Sequence, residues 1–287
     1  MIKYLNDKIV MDNKSIIILY ILISTSISSL IILGVYTNSA TAVENTNDSN
    51  QIMSEPLSKN SSTTEIYNPE NKLYGLSYED HAKNFWKWFV SIPNSTNPEH
   101  DLTGARCSFG QEKSNSSVFY LSPGKNNTVI EKECTVPNGK GILIPIIVVE
   151  YSDEEEFIDE NIDKTSNLTL DDMSEIITNL TIKAKNDQDG VQNMYLKLDN
   201  REYQMEDLSK YRINTGAFVL NFPQDPVWGV KEGPAVAVAD GHYIISEPLT
   251  KGNHTIHWKS DLTCPINDKD CVDFRYIQDV KYNITVK

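Results

Sequence analysis

The sequence predicts a mainly β fold: an antiparallel β-sandwich, jelly-roll-like, with one N-terminal Trp-rich helix and an acidic helical insertion. Three observations point there. Short runs rich in Val, Ile, Tyr and Phe, separated by Gly, Pro, Asn and Asp, dominate the chain after Pro93. Beyond the leader, helical apolar spacing is confined to stretches near 78–91 and 169–180. No internal repeat of solenoid or propeller period is present.

Residues 15–36, SIIILYILISTSISSLIILGVY, form one uncharged run long enough to cross a bilayer as a helix. Lys3, Lys8 and Lys14 precede it and acidic residues follow, so the main body is expected outside the cytoplasm. Ala40-Thr41-Ala42 offers a small-x-small cleavage site, which favours a cleaved signal peptide; the length of the run fits a retained signal anchor instead. Residues 1–42 thus read as signal peptide or anchor. Residues 43–72, rich in Asn, Ser, Thr and Glu, read as a disordered spacer. The sandwich domain is expected over 73–287, its helical insertion at about 150–190.

Within 81–93, HAKNFWKWFVSIP, two Trp, two Phe, a Val and an Ile fall close together. Ser77 is a good N-cap, Asp80 completes a capping box, and Pro93 ends the pattern. A helix from about Tyr78 to Ser91 places Tyr78, Ala82, Phe85 and Phe89 on one stripe, with Trp86 and Val90 beside it and Trp88 on a third side. Only Lys83, Asn84 and Lys87 leave a wet face, so this helix is expected to be core filling. An aromatic platform for a sugar or a protein is the functional alternative.

Strand signals follow at Ser117–Leu121 and Gly141–Val149, the second requiring a bulge or break at Pro145. Asp153, Glu154, Glu155, Glu156, Asp159, Glu160 and Asp163 read as a solvated acidic loop. Thr169, with Asp172 as box partner, caps a second helix whose Leu170, Met173, Ile176, Ile177 and Leu180 recur at helical spacing. Met194–Leu198 and Arg201–Met205 flank a two-residue Asp199-Asn200 turn. Further strands are expected at Ala217–Phe222, His242–Glu247, Asn253–Lys259 and Phe274–Val286.

The net charge of −14 disfavours nucleic acid and anionic lipid as partners. Residues 1–42 hold three lysines and two aspartates, so the remainder carries 23 basic against 38 acidic residues. Sequons occur at Asn47, Asn60, Asn94, Asn115, Asn126, Asn167, Asn179, Asn253 and Asn283, more than a cytosolic chain needs. Cys107, Cys134, Cys264 and Cys271 make an even count, which in an exported chain favours disulfides over metal. Of three connectivities, Cys107–Cys134 with Cys264–Cys271 is preferred because each closes a local loop.

Chemistry-bearing constellations are sparse. Two His three apart in Asn253-His254-Thr255-Ile256-His257-Trp258 take opposite faces of a strand and cannot chelate one ion together. With Pro248–Gly252 as a hairpin loop, Tyr243 would oppose His257 and His242 would oppose Trp258, an ordinary cross-strand arrangement. Asp187-Gln188-Asp189-Gly190 imitates part of an EF-hand, but position 12 is Leu196 rather than Glu. There is no H-E-x-x-H, no C-x-x-C and no G-x-S-x-G. No cofactor is implied; the Asp153–Asp163 run is the one stretch suited to weak Ca²⁺ binding.

Leu73-Tyr74-Gly75-Leu76-Ser77-Tyr78 leading into Phe85-Trp86-Lys87-Trp88 and closing on Ser91-Ile92-Pro93 resembles a family of exported bacterial and archaeal proteins without an assigned activity. The similarity continues through Asp101–Cys107, Gly110-Gln111, Cys134–Lys140, Ala239–Tyr243, Pro248–Ile256 and Asp279–Val286. Phe85 stands where that family's cluster has a Trp, and the Cys264–Cys271 loop looks like a local addition. The resemblance implies export, this fold and a Cys107–Cys134 pair, and it implies no reaction.

The expected function is therefore an exported or cell-surface, non-catalytic binding or envelope protein. Its partner would be a cell-envelope glycan or protein, met through Trp228, Asp240, His242, Tyr243, His257 and Trp258. The rival is an exported hydrolase or metal-dependent enzyme, which needs two carboxylates, or His242 or His257 with Asp240, converging in one cleft. A purely structural envelope protein is the third class. Membrane contact is expected only through residues 15–36, if uncleaved.

Overall fold

Helix α1 spans Tyr78–Ser91 in the computed structural model, which describes residues 65–112, 115–154, 169–264 and 274–287. The leader, the Ala40–Ala42 motif, residues 43–64 of the spacer, Asn47, Asn60 and Asn167, residues 155–163 of the acidic run and Cys271 lie outside the described residues. Among the described residues, no helix is long and apolar enough to cross a membrane.

The α1 start follows from its sequence. Ser77 Oγ accepts the Asp80 amide and the Asp80 carboxylate accepts the Ser77 amide, so two otherwise orphaned N–H groups are satisfied reciprocally. Eight of its side chains are buried, including Phe85, Trp86, Trp88 and Phe89, while Lys87 faces water. Each buried aromatic contributes about 1.5–3 kcal/mol. The core-filling expectation is met.

The strands are β1 (Val118–Tyr120), β2 (Thr128–Val136), β3 (Gly141–Ser152), β4 (Val191–Leu198), β5 (Arg201–Gln204), β6 (Arg212–Phe222), β7 (Gly233–Ser246), β8 (Gly252–Thr263) and β9 (Arg275–Val286). They form a four-stranded sheet, β1-β3-β7-β6, and a five-stranded sheet, β2-β9-β8-β4-β5. The protein is mainly β and sandwich-like, as its patterning predicts. Most neighbours are antiparallel, but β1 runs parallel to β3 and β2 parallel to β9. Neither pair is joined by a tight turn, so nothing imposes the antiparallel sense. Pro145, which has no N–H for the ladder, sits at a register shift in the β3–β7 pairing, as expected.

Helix α2 (Leu170–Asp189) begins with the predicted Thr169–Asp172 capping box. It packs on β7 and β3 through Leu180 and Ala184, which meet Val238. The opposite face of β7, with Ala235, Ala237, Ala239 and Tyr243, joins the main core shared by α1 and the five-stranded sheet. β7 is thus covered on both faces, which explains why its sequence is apolar without alternation.

One expectation is corrected here. Residues 248–251 do not close a hairpin between His242 and Trp258, because β7 and β8 belong to different sheets. His242 stands opposite Ile147 and Arg212, Tyr243 opposite Pro145, and Trp258 opposite Leu196 and Val280. The continuously apolar β7 suits a sheet covered on both sides. β8 alternates and suits a sheet with one wet face.

Candidate functional site

The wet face of the five-stranded sheet carries a polar grid. β2, β9 and β8 lie side by side, and their register aligns Glu133, Asn283 and Thr255 in one row and Thr135, Thr285 and Asn253 in the next. The two sequons on β8 and β9 therefore interlock: each Asn stands opposite the other's Thr. Over these rows lies an open cleft of about 690 Å³, with Gly104, Ala105 and Ser108 on one side and Asp199 and His254 on the other.

The first wall is a loop fixed to the edge of β2. Cys107 is bonded to Cys134, and Thr103 O accepts the Glu133 amide, capping a donor of the edge strand. The loop approaches so closely that a Cβ on Gly104 would lie 2.1 Å from Glu133 O, and Gly104 itself sits at φ 88°. Asp101 gathers the loop's donors, accepting from Thr103 N, Thr103 Oγ1 and Arg106 N at 2.7–2.9 Å. Burial alone would raise this carboxyl; the hydrogen bonds from Arg106 and Thr103 outweigh burial and hold it below the usual range.

The second wall is the Asp199 turn, where Leu198 pairs with Arg201 as the sequence predicts. Asp199, at φ 53°, accepts the Thr255 amide at 2.8 Å and meets His254 Nδ1 at 2.7 Å. His254 Nε2 faces Thr250 O at 2.8 Å. His254 therefore clamps the Asp199 turn to the Thr250 end of the loop that precedes β8.

The rows beyond the cleft are internally paired, and Asn283 of the cleft row is bonded into them. Glu131 accepts from Lys281 and from Asn283 Nδ2, both at 2.8 Å, and these bonds hold its carboxyl below the usual range. Asp279 binds His257 at 2.6 Å and Lys259 at 2.8 Å; these bonds overcome the upward push of burial and lower its carboxyl. Glu133 lies on the cleft and has no ion pair among the described residues. Among the described residues, the Thr135 and Thr255 hydroxyls and Asn253 Nδ2 donate to no protein acceptor, while Thr285 Oγ1 donates to Asn253 Oδ1 at 3.3 Å.

The predicted site residues do not converge. Asp240 is buried and takes two bonds from Arg212, at 2.9 and 3.2 Å. His242 is buried beside Gln188 at 3.3 Å; burial, reinforced by Arg212, pulls it down to about 4. Tyr243 and Trp258 are fully enclosed, Tyr243 accepting from Trp86 and Trp258 stacked on Tyr282. As core side chains they offer no surface to a ligand. His257 belongs to the Asp279 pair. Of these six predicted residues, only Trp228 presents an exposed ring, on a loop held to Glu99. Among the described residues, no group of three His, Cys, Asp or Glu is placed to hold a metal ion.

Asp153, which opens the expected Ca²⁺ loop, is buried and accepts the Val236 amide. Cys264 is disulfide-bonded, the Cys271 end of that loop lying outside the described residues. Of the remaining sequons, Asn115, Asn126, Asn179 and Asn253 are exposed, and Asn94 and Asn283 are half-buried.

Sequence reasoning missed Glu133, Thr135 and the Asp199–His254 clamp. It also missed Lys132, which points inward one residue from Glu133. Ile130, Lys132, Cys134 and Val136 form the inward set of β2, so the signal was a lysine at a core parity. Lys132 is 1% exposed, with Nζ 3.3 Å from Pro98 O, 3.5 Å from Ser122 Oγ and 5.6 Å from the Tyr282 ring. Burial lowers it to about 8, against the opposing pull of Asp101 and Glu99.

Compared with models of protein families, with curated proteins and with solved structures, the chain matches none.

Proposed function

We propose that this is an exported or cell-surface protein without a catalytic role, which binds a cell-envelope glycan in the cleft across β2, β9 and β8. The observation that carries the reading is the contrast along one sheet face. Neighbouring rows satisfy their own charges, whereas the cleft rows present a carboxylate, hydroxyls and an amide to whatever enters. Such a lining suits a neutral, hydroxyl-rich ligand, which exchanges its water contacts for these groups at little desolvation cost. The acidic surface disfavours anionic glycans. The apolar leader, the sequons and the disulfide support export.

A glycan array probed with the full-length chain tests this. Binding to neutral glycans is expected, with a Glu133→Ala, Thr135→Val variant binding at least tenfold more weakly. Cleavage of the bound glycan would favour the hydrolase reading, since Glu133 and Asp199 both line the cleft.

A further inference from the structure

The loop between β6 and β7 holds Trp228 at φ 67°, ψ 6°, followed by Gly229 at φ 70°. Left-handed backbone is routine for glycine and rare for a bulky residue, so it persists only where the surroundings impose it. Here they do. The indole packs against buried Trp86 and Phe89, with ring centroids at 6.2 and 5.9 Å. Its Nε1 donates to Glu99 Oε2 at 3.1 Å. The loop is tied to the segment after α1, where Asn94 N donates to Asp225 O at 2.7 Å and Ser95 N to Asp225 Oδ2 at 2.9 Å. Despite these restraints, Trp228 remains 42% exposed. A ring immobilised at the surface loses little freedom when a ligand covers it.

Glu99 is half-buried beside that ring and commits only one carboxylate oxygen to the indole. Burial pushes this carboxyl above its ordinary range, against the opposing pull of His100, the Trp228 N–H, Lys125 and the buried Lys132. An indole beside an uncompensated carboxylate would attract a cation. Half-buried, with its charge disfavoured by that burial and one oxygen already held by the indole N–H, Glu99 suits a neutral ligand that can donate a hydrogen bond.

We infer that Trp228 and Glu99 form a second ligand subsite, which takes a neutral sugar ring: its C–H face on the indole, one hydroxyl donating to Glu99 Oε1. The inference rests on the glycan-binding reading above, and it does not depend on the cleft.

The test titrates the full-length chain with neutral hexasaccharides of glucose, mannose and N-acetylglucosamine, following tryptophan fluorescence and binding heat. Wild type, Trp228→Ala, Trp228→Phe, Glu99→Gln and the cleft variant Glu133→Ala, Thr135→Val are compared. Trp228→Ala is expected to weaken binding about tenfold and Glu99→Gln about fivefold. Trp228→Phe, which keeps a ring on Trp86 and Phe89, should fall between wild type and Trp228→Ala. If both Trp228 variants and Glu99→Gln bind as wild type while the cleft variant does not, the subsite is wrong and the cleft reading survives. If tetramethylammonium binds at Trp228 and the sugars do not, a cation site replaces it. If no hexasaccharide binds wild type, subsite and glycan-binding reading fall together.

Discussion

Trp86 of α1 donates its indole N–H to the Tyr243 hydroxyl of β7 over 2.7 Å, inside the core and across 157 residues of sequence. This one bond joins the aromatic helix to the centre of the four-stranded sheet. Both partners are buried, so neither can fall back on water.

Tyr243→Phe keeps the ring and removes the acceptor, leaving Trp86 Nε1 buried and unsatisfied. The expected cost is about 1–3 kcal/mol in chemical denaturation. Trp86→Phe should then cost less in the Tyr243→Phe background than in wild type, by about 1 kcal/mol. Strict additivity of the two substitutions would refute the coupling.

The Cys107–Cys134 bond closes a loop of sequence separation 27 and anchors one cleft wall to β2. Chain-entropy reasoning assigns such a closure about 3–4 kcal/mol. Cys107→Ser with Cys134→Ser should lower stability by up to that amount and speed amide exchange at Glu133, whose N–H is capped by Thr103 O. Unchanged exchange at Glu133 would show that Asp101 alone holds the wall.

Burial, reinforced by Arg212, disfavours the charged form of His242 and pulls it down to about 4 in the folded chain. The unfolded chain takes up this proton near pH 6.5, before the folded chain does. Stability contributed by neutral His242 is therefore complete above about pH 6.5 and is lost as pH falls towards 4, by about 3 kcal/mol at most. His81 is lowered by burial and adds to the loss with the same sign. A His242→Phe variant should show a shallower acid limb in denaturant midpoints between pH 4 and 6.5; an unchanged limb would mean that His242 is charged in place.

Lys132, lowered to about 8, runs with the same sense at the alkaline end. Between about pH 8 and 10.5 the folded chain has released a proton that the unfolded chain keeps, so stability rises with pH there. Lys132→Met replaces a buried ammonium by an apolar chain of similar length. It should be neutral or stabilising at pH 6, by about 1–3 kcal/mol. That advantage should shrink by pH 10.5. A loss at pH 6 would show that Asp101 and Glu99 need the charge more than its burial costs.

Several features were legible in the chain because they depend on near neighbours. Ser77 with Asp80, and Thr169 with Asp172, specify helix starts through bonds spanning three residues. Pro145 announces a ladder defect because it has no N–H, and Asp199-Asn200 closes a hairpin between adjacent runs. The aromatic spacing of α1 requires burial on several sides whatever it packs against.

Only the tertiary structure decided which strands became neighbours. A short loop after Ser246 can turn back as a hairpin or cross to the other sheet, and its own residues do not distinguish the two. The choice rests on burying both faces of β7, which needs α2, α1 and the second sheet at once. That choice enclosed Tyr243 and Trp258, turned Lys132 inward, and brought Glu133, Asp199, Thr255 and Asn283 to one cleft. Strand alternation settles which residues share a face; long-range packing settles which face meets water.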